Sequence, residues 1–128
     1  MGAIFIKGAG GGASAIEADL LWENNTPTAS RDSFTLNLDL SEYDAVIVKA
    51  RAYTDDATTN YGIAFRNQIP ALIAVKYGSD TRANGRRITA FTDTALTFSR
   101  GFVGASGNNQ NAACIPLEVY GIRINGVA

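Results

Sequence analysis

The sequence predicts one all-β domain: an antiparallel β-sandwich, jelly-roll-like, of about eight strands, with an extended glycine-rich N-terminal arm. Three observations carry this. Apolar residues recur at every second position in short runs, the period of a half-buried strand. Turn-forming residues separate those runs at short, even intervals. No window of about ten residues or more holds a helical period.

Taken in order, residues 3–6 form a brief β-prone patch, followed by Gly8, Gly10, Gly11 and Gly12. Glycines at this density do not sustain a helix and give a strand little to pack with. Residues 1–13 therefore read as an arm, with Ile4, Phe5, Ile6 and Gly10 as its assembly elements, and residues 14–128 as the sandwich. A first strand is expected near residues 19–23, and Trp22, directly before a polar turn, reads as a packing residue at the core edge. Phe34, Leu36, Leu38 and Leu40 alternate with Thr35, Asn37 and Asp39, and Ser41 is placed to cap a single helical turn beyond them. Val46, Val48, Ala50 and Ala52 make the next apolar face, with Lys49 and Arg51 opposite. Ile63 and Phe65 share one face of the run 61–68, which Pro70 closes. Further strands are expected near residues 71–77, 86–92, 95–100 and 117–125, with turns at 54–56, 78–80, 83–85 and 104–111.

Composition narrows the function. A chain of 128 residues suits a single domain. Its 46% hydrophobic and 18% charged content is globular, and it carries a core without staples. Net charge is -1 with no block of like sign, so nothing favours nucleic acid or an anionic membrane as a partner. No apolar stretch approaches the roughly 20 residues of a membrane span. Cys114 is the only cysteine, reads as a small buried hydrophobe, and rules out an intrachain disulfide.

The chain has no histidine, which removes Ser-His-Asp and Cys-His catalysis and histidine-bearing zinc sites. Carboxylate-pair chemistry remains, but the acidic residues fall mostly at turns or on outward strand positions, so no enzyme is expected. Asp55, Asp56 and Asn60 supply oxygens but lack the spacing of a calcium loop. The glycine cluster lacks the Lys-Ser/Thr pair of a phosphate loop. No cofactor and no metal are expected. Arg82, Arg86 and Arg87 form the densest basic patch, read as solvated surface, with neighbouring arginines on opposite faces of a strand. Two features suit binding. Tyr53 and Tyr61 bracket a polar loop, 54–60, that contains Asp55, Asp56 and Asn60, and aromatic rings contribute contact area at low entropic cost. The stretch 104–111 offers the amides of Asn108, Asn109 and Gln110 to carbohydrate hydroxyls or a neighbouring subunit.

The order of several short segments resembles a small β-rich domain of bacteriophage and prophage tail-fibre and baseplate proteins. The matching residues are Leu21-Trp22-Glu23-Asn24, Pro27, Leu38-Asp39-Leu40-Ser41, Tyr43-Asp44, Ile115-Pro116 and Val119-Tyr120-Gly121-Ile122. They span roughly residues 18–125, with the central strands alike only in pattern. The resemblance implies a virion protein at the tip of a tail appendage, often trimeric, made in the host cytoplasm and contacting other virion proteins and a host surface glycan. It supplies no fixed functional residues. Here the domain starts almost at Met1, so the expectation is a stand-alone virion subunit with the arm as its attachment device. An extended arm of about a dozen residues reaches roughly 40 Å, enough to clasp a neighbouring chain. A capsid decoration or head-fibre subunit is the alternative.

Overall fold

A computed structural model describes residues 3–7, 15–29, 31–76, 83–104 and 108–125. Its strands are β1 (Ala3–Lys7), β2 (Ala15–Glu23), β3 (Phe34–Asn37), β4 (Ala45–Ala52), β5 (Asp55–Phe65), β6 (Ala71–Lys76), β7 (Ala83–Phe91), β8 (Ala95–Phe98), β9 (Phe102–Val103), β10 (Asn108–Asn109) and β11 (Ile115–Asn125). A 3-10 turn, Asn111–Ala113, is the one helical element among the described residues.

Two antiparallel sheets make a β-sandwich, the predicted class. The first runs β1-β2-β11-β4-β5. The second centres on β7, with β6 along one side and β8 then β9 along the other. Beyond these lie β3 on β8 and β10 on β9. The period-2 runs explain the layering. Val46, Val48, Ala50 and Ala52 of β4 and Val119 of β11 point inward to meet Ile73, Val75, Ile88, Leu96 and Phe98 from the second sheet. Cys114 lies in the same core, and Trp22 and Tyr53 pack at its edge.

Several local expectations change. β2 begins at Ala15, and β1 pairs with it inside the same chain, Ile4 opposite Ala18, Phe5 opposite Glu17 and Ile6 opposite Ile16. Gly10 lies outside the described residues. The expected turn 83–85 is strand: Gly85 sits where an added Cβ would meet Leu72, Phe102 and the Ile73 carbonyl at 3.0 Å, so the glycine serves close packing rather than turning. The turn after Leu40 is capped by Asp39, not Ser41. The Asp39 carboxylate accepts the Ser41 amide at 3.2 Å and its hydroxyl at 2.7 Å, which holds its pKa below the ordinary value.

The largest correction concerns Arg86. Instead of solvent it meets the interior, 1% exposed. Its guanidinium donates to five backbone carbonyls: Cys114 at 2.7 Å, Asp32 at 3.1 Å, Ser99 at 2.8 Å, Arg31 at 2.5 Å and Asn111 at 2.9 Å. The Phe34 ring lies against it, centroid 5.5 Å away. Arg87, on the other face, is exposed and rests over Phe102.

Candidate functional site

The β4–β5 connection is tighter than the loop predicted for residues 54–60. Ala52 pairs with Asp55, so only Tyr53 and Thr54 make the turn. Tyr53 takes φ 55°, a left-handed backbone that costs a side-chain-bearing residue about 1–2 kcal/mol. Its amide offsets part of this by donating to Ala112 O at 2.7 Å, and its ring packs on the core. Tyr53 is thus held inward, while Tyr61 is 54% exposed, so the two rings do not form one platform.

The polar residues then bulge. Between Ala50↔Asn60 and Ala52↔Asp55 the register shifts, leaving residues 56–59 opposite Arg51 alone. Thr58 holds the bulge from inside. Its buried hydroxyl accepts the Ala52 amide at 2.8 Å and donates to Asp55 O at 2.7 Å. Asp55 Oδ1 accepts the Ala57 amide at 3.0 Å, and Asp56 is drawn aside by Arg51 at 2.6 Å. Asn60 reaches the other sheet, its Nδ2 donating to Ala74 O at 3.1 Å.

This bulge and the end of β6 enclose a groove of about 540 Å³ lined by Asp55, Ala57, Thr58, Thr59, Asn60 and Lys76. Asp55 and Asn60, both expected from sequence, are brought together here; Asp56 is not. Lys76 and the two threonines were not anticipated, because nothing along the chain shows that β6 ends beside the start of β5. Outside the groove β5 presents Tyr61, Ile63 (48% exposed) and Phe65 (38% exposed) on one outward face. The shared face of Ile63 and Phe65 is legible in the alternation; that it is the outer one is not.

The other amide stretch lies apart. Asn108 and Asn109 form β10 against Val103 and Phe102, and Gln110, exposed, is bound through its backbone to Gly101 and Ala113. Gly101 is required there, since a Cβ would stand 2.5 Å from Gln110 O.

A second charged constellation surrounds Arg123, which meets Asp19 at 2.8 Å, Glu42 at 3.5 Å and Glu17 at 3.6 Å. The Tyr43 hydroxyl donates to Asp19 at 2.9 Å, and burial, with that bond, raises its pKa. Tyr120 donates to Glu118 at 2.6 Å, which with burial pushes its pKa up to about 12. These carboxylates are committed to neutralising Arg123 or accepting phenols. Among the described residues no three His, Cys, Asp or Glu side chains gather as a metal site requires. No helix there is long and apolar enough to cross a membrane. Compared with known proteins, the chain matches no family model, no curated protein and no solved structure.

Proposed function

We propose that the chain is a bacteriophage virion subunit at a tail-fibre or baseplate tip, a non-enzymatic module that contacts the host cell surface. The observation that carries this reading is the β5–β6 groove: a cleft of ligand size in which Asp55, Thr59, Asn60 and Lys76 keep polar atoms that the fold does not use. The segment order described above, running from Leu21-Trp22 to Gly121-Ile122, supplies the phage setting. Self-association, as a homotrimer, accompanies the reading. β5 is the edge strand of its sheet and carries exposed Tyr61, Ile63 and Phe65, and edges with apolar side chains favour covering by another copy.

The same apolar strip supports a second reading, a capsid decoration or head-fibre subunit that uses β5 to sit on the particle. Antibody labelling of purified particles, with the copy number per particle, separates the two. Labelling confined to the tail tip at low copy number is the expected result. Labelling across the capsid at high copy number would favour decoration, and absence from particles would overturn both.

A further inference from the structure

We infer that the β5–β6 groove binds a neutral, hydroxyl-rich glycan and discriminates against polyanionic surface polymers. This rests on the host-surface reading and adds the ligand class. The argument starts from which groups the groove leaves uncommitted. Thr58 spends its hydroxyl on the bulge, and Asp56 spends its carboxylate on Arg51. Asn60 spends its Nδ2 on Ala74 O, which orients the amide and leaves Oδ1 as an acceptor. Asp55 accepts one amide at Oδ1 and keeps a second carboxylate oxygen. Lys76 lines the groove and makes no ion pair among the described residues.

Among the described residues the open inventory is therefore two acceptors, on Asp55 and Asn60, one ammonium donor, on Lys76, and the Thr59 hydroxyl, which does both. One acid and one base face the same space. A polyanion meets Lys76 favourably but brings Asp55 a like charge, and a polycation does the reverse. A polyol satisfies both: its hydroxyls donate to Asp55 and Asn60 while its oxygens accept from Lys76. Because hydroxyl hydrogen bonds match every group without burying an unpaired charge, the neutral ligand carries the smallest desolvation cost. Among the described lining residues only Ala57 is apolar, so recognition there rests on hydrogen bonds and a single site is weak. Several copies side by side would convert weak sites into useful avidity.

The test uses the full chain and a defined panel: neutral hexose oligosaccharides, an oligouronate and a glycerol-phosphate polymer, titrated while backbone amide NMR shifts are followed. Neutral oligosaccharides are expected to move the amides of Asn60, Ala74 and Lys76. Asp55→Asn and Asn60→Ala are expected to weaken that binding at least about tenfold, the scale of one well-placed hydrogen bond to a charged or oriented group. Asp55 and Asn60 are exposed, and unchanged shifts elsewhere verify the fold of each variant. Binding of the anionic polymers alone, abolished by Lys76→Gln and indifferent to Asp55→Asn, would overturn the inference. So would no response at these amides to any member of the panel. Neither result alters where antibodies find the chain on the particle, so the inference can fail while the tail-tip reading stands.

Discussion

Arg86 shows how much one side chain can organise. A buried cation without a carboxylate is costly, and here the compensation is geometric: five N–H bonds to five carbonyls from four chain segments around residues 31–32, 99, 111 and 114. Arg86→Met removes the charge but orphans those carbonyls at about 1–3 kcal/mol each, partly relieved by relaxation. A loss of at least about 3 kcal/mol is expected in urea unfolding. Arg86→Lys should recover only a part, because an ammonium has three donors and no planar fork. A lysine variant as stable as the parent would sink this account. Cys114, beside it, tests the same environment by pH. Burial pushes its thiol up to about 12 from an ordinary 9.0, so the folded state keeps a proton that the unfolded state loses. The resulting stability is complete below pH 9 and is lost as pH rises toward 12. The thiol should resist disulfide reagents in the native protein at pH 8, and Cys114→Ala should flatten the alkaline fall in stability.

At the scale of elements, β5 does two jobs with one strand. Its second half is regular sheet, and its first half is a bulge whose shape Thr58 maintains. Thr58→Val keeps the volume but leaves the Ala52 amide without its acceptor, so a cost of about 1–3 kcal/mol is expected. Hydrogen exchange at Ala52 should quicken well beyond exchange elsewhere in β4. Thr58→Ser should restore protection; if it does not, the hydroxyl is not what holds the bulge. Close approach limits β11, between β2 and β4 in the same sheet, similarly. A Cβ on Gly121 would lie 2.7 Å from the Tyr43 ring and 2.8 Å from Leu21. Gly121→Ala should cost about 1–3 kcal/mol by overpacking and displace the Tyr43–Asp19 bond, visible as a tyrosine pKa moving back toward its ordinary value.

For the whole molecule the question is how a sandwich with open edges meets neighbours. Its charges are mostly settled internally, Arg51 on Asp56, Arg66 on Asp93, Arg100 on Asp32 and Lys49 on Glu118. Along the second half of β5, Tyr61, Ile63 and Phe65 stay outward as an apolar strip, the kind of surface that contacts use. Ile63→Asp should leave the thermal midpoint nearly unchanged, since the side chain is about half exposed. If copies associate through β5 as proposed, the same substitution should shift light scattering toward monomer. Intact association in that variant would show that copies meet elsewhere.

The fold class was legible because alternation is a local property: a strand with Val46, Val48, Ala50 and Ala52 on one side can bury only that side, wherever it lies. Cys114 and Trp22 were legible for the same reason, their apolar neighbours being adjacent in sequence. Which face of a run turns inward is decided by what packs against it, so Ile63 and Phe65 were seen to share a face without that face being placed. Arg86 reads as surface along the chain, because its five acceptors come from distant residues. The candidate site divides likewise. Asp55 and Asn60 stood out as polar residues between strands, but Lys76 joins them only because β5 and β6 meet across the sandwich edge. The sequence by itself determined a histidine-free, charge-balanced all-β chain. Tertiary packing alone decided which polar groups the fold consumes and which it leaves facing an open groove.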